Sequence, residues 1–175
     1  MLKVFRERMK DDKGFTLIEL MVVVLIIAIL LAIAIPTFLR VRRNAQDRAV
    51  QSSVQNGLKT EKAFYVDAGT NNAYTADPAK LEEMEPSLNY DTGGAGATCT
   101  LGGAAVSDGS NCVQISVVAV DGNAGQETRI VGLSKTGMYW AIKDVAFGTG
   151  AGTFYGKSED SAAAAITAAT STGEW

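Results

Sequence analysis

The sequence predicts an α+β protein: one long N-terminal helix with a small antiparallel β-sheet packed against its outer, polar half. Three observations lead there. Residues 20–39 are twenty positions without a charge. Residues 40–66 mix polar and apolar side chains without a proline, and Val50, Val54 and Leu58 recur at four-residue spacing, the period of a helix buried on one side. From about residue 67 onward glycine, small residues and short β-like runs take over. A chain of 175 residues has room for one modest domain beside such a helix.

Residues 1–14 form a charged leader, with Lys3, Arg6, Arg8, Lys10 and Lys13 against three acids, ending in Gly14. From 15 to 39 the chain is almost wholly apolar, and Glu19 is its one charge. Twenty helical residues rise about 30 Å, the thickness of a bilayer core. The run is hydrophobic on every side, so packing one face on a soluble core does not account for it. It is too long for an ordinary secretory signal, and no small-x-small cleavage site follows it. Charge counting leaves the orientation open, because Arg40, Arg42, Arg43 and Arg48 follow the span as closely as the leader's bases precede it. The helix is expected to continue from 40 to 66, with Ala49 and Gly57 beside the buried valines and Arg48, Gln55, Lys59 and Lys62 elsewhere.

Asp67, Ala68 and Gly69 are expected to end that helix, glycine taking the left-handed cap conformation. A short helix is expected from about Thr75 and Pro78 to Met84, since proline is tolerated in a first turn, with Pro86 closing it. Residues 113–120 read as a strand followed by a turn at Asp121, Gly122 and Asn123. Residues 129–133 and 138–143 read as a hairpin around 134–137, and 153–156 as a last short strand. The Ala/Ser/Thr-rich tail, 158–175, is compatible with a flexible end or a terminal helix. Four regions result: a leader (1–14), a transmembrane or assembly-core helix (15–39), its amphipathic continuation (40–66) and a globular head (67–175).

The formal charge of −3 is unevenly spread: residues 1–14 carry a net +2, and beyond residue 70 five basic residues face twelve acids. A scattered acidic surface offers no stripe for phosphate backbones, so no direct nucleic-acid binding is expected. Histidine is absent, which removes the commonest neutral-pH base and metal ligand. No nucleophile and base pair is recognisable, so the chain reads as no enzyme, with no cofactor and no metal. Glu82, Glu83 and Glu85 read as a solvated helix face. Asp121, Gly122, Asn123 and Gly125 fall outside calcium-loop spacing, and Asp108 to Asn111 reads as a turn. Cys99 and Cys112 are thirteen positions apart, which fits no zinc or redox spacing. If the polar half lies outside the cytoplasm, a disulfide follows, closing a loop that stabilises the fold by about 3 kcal/mol in the chain-entropy picture; a pair of reduced thiols is the alternative.

The most informative run is Lys13, Gly14, Phe15, Thr16, Leu17, Ile18, Glu19, Leu20, leading straight into the apolar span. It resembles the class III prepilin signal of type IV pilins and of the pseudopilins of type II secretion and competence systems. The resemblance is close over about residues 10–45 and covers the head only in general, lollipop-like architecture. It implies cleavage between Gly14 and Phe15 by a prepilin peptidase, and N-methylation of Phe15 by the same enzyme. The leader would remain in the cytoplasm, the span in the cytoplasmic membrane as lipid-embedded precursor, and the mature chain in an extracellular helical homopolymer raised by the pilus assembly machinery. Glu19 would set register by pairing with the Phe15 amine of a neighbouring copy, a carboxylate in the first turn also being favoured by the helix's positive end. In a plain anchor it would be a headgroup-level acid. Pro36 implies a kink or local unwinding, and Arg40, Arg42 and Arg43 form a collar suited to headgroups or to a neighbour's acids. The expected function is that of a major pilin. A minor pilin or pseudopilin, or a tethered adhesin or receptor head, are the alternatives.

Overall fold

The computed structural model describes residues 14–67, 69–93, 111–170, 172 and 175. The leader residues before Gly14, Cys99 and the turn expected at Asp108 lie outside them. The chain divides into two compact units, one ending at Arg42 and one beginning at Arg43. Helix α1 (Leu17–Val66) supplies residues to both.

In the first unit the helix is exposed on all sides. The 18-residue window of highest hydropathy along α1 is entirely unburied, and side chains such as Ile18, Leu20, Leu30 and Ile33 are each more than 60% exposed. Among the described residues no contact covers them. The helix runs unbroken through Pro36, so the unwinding expected there is absent from the single chain. Proline still removes the amide that the Ala32 carbonyl would accept, and the hydroxyl of the next residue, Thr37, donates to the Ile33 carbonyl (3.1 Å).

The second unit is a five-stranded sheet faced by α1 on one side and by a short helix on the other. Strands β1 (Asn89–Asp91), β2 (Cys112–Val120), β3 (Asn123–Leu133), β4 (Tyr139–Val145) and β5 (Gly152–Ser158) lie in that spatial order. Three pairs are antiparallel, but β1 runs parallel to β2, so the expected antiparallel sheet carries one parallel edge strand. Helix α2 (Pro78–Met84) precedes β1, with Asp77 capping it by accepting the Ala79 amide. Helix α3 (Ala162–Thr167), capped by Ser161, resolves the ambiguous tail in favour of a short helix.

Period-two alternation sorts the sheet's side chains. Ile115, Ile130, Trp140 and Ile142 turn toward α1 and form the main core with Val50, Val54, Leu58, Leu81, Leu88 and Tyr90. Val131 and Ala141 turn the other way, onto Ala165 of α3. Burying each large aliphatic side chain contributes about 1.5–3 kcal/mol. Two glycines bring α1 and the sheet close: a Cβ on Gly132 would lie 2.6 Å from Val50 Cγ1, and one on Gly57 3.3 Å from Ile130 Cγ2. Ala49, expected beside the buried stripe, is exposed; Ser53, Thr60 and Glu61 are buried instead.

The end of α1 also differs from expectation. Gly69 does not adopt the left-handed conformation; Asn71 (φ 54°) and Asn72 (φ 53°) do. The Thr70 hydroxyl lies within hydrogen-bond distance of the carbonyls of Phe64 (2.9 Å) and Asp67 (2.8 Å), so its one O–H, with the Asp67 and Thr70 amides on the same two carbonyls, serves the end of the helix without a glycine cap. The β2–β3 turn matches expectation: Asp121 and Gly122 both have positive φ, as a two-residue hairpin turn requires.

Candidate functional site

The N-terminal residues are arranged by the start of α1. Gly14 precedes the helix with open space around its α-carbon, and Phe15 is 91% exposed. Thr16 then caps the helix reciprocally with Glu19. The Glu19 amide donates to Thr16 Oγ1 (3.3 Å), while Glu19 Oε2 accepts both the Thr16 amide (2.9 Å) and the Thr16 hydroxyl (2.7 Å). This is a capping box. Thr16 was not singled out from the sequence, although a threonine three residues before a glutamate at the start of an apolar run is its signature. The arrangement satisfies one carboxylate oxygen within the chain and fixes Glu19 at the first turn. Gly14, Phe15 and Glu19 are thus gathered at one exposed helix start, with Pro36 and the exposed Arg40, Arg42 and Arg43 further along α1.

In the head, Cys112 opens β2, is buried, and is disulfide-bonded; the expected partner Cys99 lies outside the described residues. The Asp121 turn is braced through its carboxylate, which accepts the Thr149 amide (2.9 Å) from the β4–β5 connection. Among the described residues no group of three or more His, Cys, Asp or Glu side chains could hold a metal ion. Glu82 is not simply solvated, since it accepts the Tyr90 amide (3.2 Å) and ties α2 to β1.

The largest departure from the sequence reading is a polar seam between α1 and the sheet. Asp144 on β4 is buried and meets Lys62 of α1 (2.8 Å), the Tyr74 hydroxyl and the Thr153 hydroxyl. Burial, reinforced by that hydrogen bond to Asp144, pushes the Tyr74 phenol far above its usual range. Tyr90 is pushed up to about 12, chiefly by burial. Glu61 is wholly buried, and burial raises its carboxyl to about 7, against opposing contributions from the Thr75 amide and the Thr128 hydroxyl. The Thr75 amide donates to Oε2 (3.2 Å). Oε1 and the Thr128 hydroxyl are both buried without a well-formed hydrogen bond among the described residues. The seam is not legible locally: Lys62 reads as lying off the buried stripe, and a glutamate between Thr60 and Lys62 reads as a solvated helix position.

Comparison with known proteins bears on the N-terminal site first. Residues 9–35 match the prokaryotic N-terminal methylation motif. The chain is 42% identical over 73 residues to the type IV wide pilus major component PilA4 of Thermus thermophilus, covering 42% of this chain and 53% of that protein. It is 30% identical over 94 residues to the type IV major pilin protein PilA of Myxococcus xanthus, covering 54% of this chain and 43% of that protein. The chain thus spans about half the length of the curated relatives it matches. No solved structure matches it.

Proposed function

We propose, on the premise that the matched motif and both relatives support the type IV pilin family, that this chain is the major structural subunit of a pilus filament. The observation that carries the reading is the Gly14, Phe15, Glu19 signal in register with a helical segment whose apolar side chains are left uncovered by the described residues. Such a surface needs lipid before assembly and other copies after it.

In this reading a prepilin peptidase cuts after Gly14, where the lack of a side chain and the open surroundings favour entry of the backbone into an active site. The new amine of Phe15 is methylated. Glu19, already held at the helix start by Thr16, keeps a second carboxylate oxygen for the Phe15 amine of a neighbour. Pairing of that kind sets register more than it stabilises. The precursor waits in the cytoplasmic membrane, leader inside, and the assembly machinery raises it into an extracellular filament. Pro36 marks where α1 has lost a backbone hydrogen bond and so unwinds most cheaply on packing among copies. Cys99 pairs with Cys112 in the head.

Edman or mass-spectrometric sequencing of filaments sheared from intact cells tests the proposal. The expected N-terminus is methylated phenylalanine followed by Thr, Leu, Ile and Glu. Uncut chain, or long filaments that lack this chain, would overturn it.

A further inference from the structure

We propose that Glu61 is a proton-operated latch in the head: protonated, its Oε1 donates to the Thr128 hydroxyl and joins α1 to β3, while Oε2 holds the segment before α2 through the Thr75 amide. This goes beyond filament assembly and does not depend on it.

The geometry calls for a proton at this place. Glu61 Oε1 and Thr128 Oγ1 are both fully enclosed, and each lacks a well-formed hydrogen bond among the described residues. A carboxylate can only accept and would need the Thr128 O–H, whereas a carboxylic acid supplies an O–H of its own that the Thr128 oxygen can accept, so the pair fits either state and the enclosure decides between them. A charged carboxylate enclosed there is costly unless a cation pairs with it.

Among the described residues the neighbouring groups do not supply one. On α1 itself Lys62 is committed to Asp144 (2.8 Å), and Tyr65 donates to Gln126. From the segment before α2, Tyr74 donates to Asp144. From β1 comes Tyr90, whose hydroxyl is also enclosed without a well-formed partner among the described residues, with Glu82 and Glu85 acting on it from beyond. From β3 comes the neutral Thr128, and from β4 Asp144, an acid. The influences that favour charge on Glu61 are hydrogen bonds, not a cation.

Loss of the proton to solvent would leave a second carboxylate in a seam that already contains Asp144. The cheapest relief is to admit water by releasing residues 72–77. These have no regular structure and are held by few ties: Tyr74 amide to Gly125 carbonyl (2.8 Å), Gln126 Nε2 to Asn72 carbonyl (3.0 Å), the Tyr74 phenol and Thr75 itself. The latch is closed in acid and loosens progressively as the pH rises toward 7, beyond which it loosens no further.

The test uses the full chain in detergent micelles with 13C-labelled glutamate side chains. One carboxyl, assigned by its disappearance in Glu61→Gln, should titrate at least one pH unit above the others. Exchange of the Thr75 amide, corrected for intrinsic pH dependence, should speed up about a hundredfold between pH 5 and pH 8.5 in the unaltered chain and by less than threefold in Glu61→Gln, which stays neutral. Titration of Glu61 with the exposed glutamates overturns the proposal. So does pH-independent protection of Thr75, or the same pH profile in Glu61→Gln. Should Glu61→Gln not fold, Thr128→Val provides the assignment and removes the acceptor; its Glu61 carboxyl should titrate differently from the unaltered chain, and an unchanged value would equally overturn the proposal.

Discussion

Gly156 of β5 offers the sharpest test of how the head is packed. It pairs with Ala141 on the face opposite α1, and a Cβ built there would lie 2.3 Å from the Ala165 carbonyl oxygen and 2.5 Å from the Ala169 amide nitrogen. Ordinary contact begins near 3.4 Å, so α3 and the residues after it would have to retreat by about 1 Å. The obstacles are backbone atoms, which no rotamer change can clear. Overpacking of this kind costs about 1–3 kcal/mol. An upper bound comes from undocking: if α3 leaves, the buried Ala165 and Ala169 methyls and the half-buried Ile166 are exposed. At about 0.8 kcal/mol per methyl and about 2 for part of an isoleucine, that sacrifices roughly 3.5 kcal/mol. The strain cannot exceed this figure, because the helix would leave first. Gly156→Ala is therefore expected to destabilise the head by about 2–3 kcal/mol in urea unfolding followed by tryptophan fluorescence. Amides of α3 should lose most of their exchange protection. Gly137→Ala is the control: Gly137 has φ 91° and nothing within 4 Å of a built Cβ, so it pays only the left-handed conformational cost of about 1–2 kcal/mol and leaves α3 protected. A stable Gly156→Ala with a protected α3 would refute the proposed contact between α3 and β5.

The remaining expectations can be checked with the same preparation or in cells. Because Glu61 is raised from 4.5 to about 7 in the folded head, the folded state holds a proton that the unfolded chain has lost between those values. Stability should thus be highest below pH 4.5 as far as this group is concerned, decline through the window and level off above 7, a total of about 3 kcal/mol; subtracting the urea-derived pH profile of Glu61→Gln isolates that contribution. Gly14→Val should retain the fourteen leader residues, visible by mass. Glu19→Val should be cut normally yet form few filaments, counted by electron microscopy, and normal fibres would refute the pairing. Cys112→Ser should cost about 3 kcal/mol if it opens a loop to Cys99, read as a shift in the urea midpoint.

How much of this molecule its sequence reveals depends on how far apart the deciding atoms are. The span is legible from composition alone, because twenty uncharged residues cannot be hidden in so small a head. The Gly14 to Glu19 run is legible for a related reason: a lone acid in an apolar helix must sit at one depth, so spacing carries the meaning. Strands β2, β4 and β5, the second half of β3 and the Asp121 turn follow from alternation and turn chemistry, both local; residues 123–128, the first half of β3, do not. So does α2, from Asp77 and Pro78.

What tertiary structure alone decided is non-local. Strand β1 is three residues long, too short for any period to show, and exists because Tyr90 is buried between α1 and β2. The end of α1 was misread at Gly69 because the Thr70 hydroxyl reached back to the carbonyls first. Gly132 and Gly156 matter through backbones and side chains distant in sequence, and Glu61 through complete enclosure by β1, β3 and the segment before α2. A sequence records which side chains are apolar, charged or small along one strand of chain. Which of them are shut away from water together is set by contacts between segments, and desolvation, the force that moves the Glu61 proton, acts only once those segments have met.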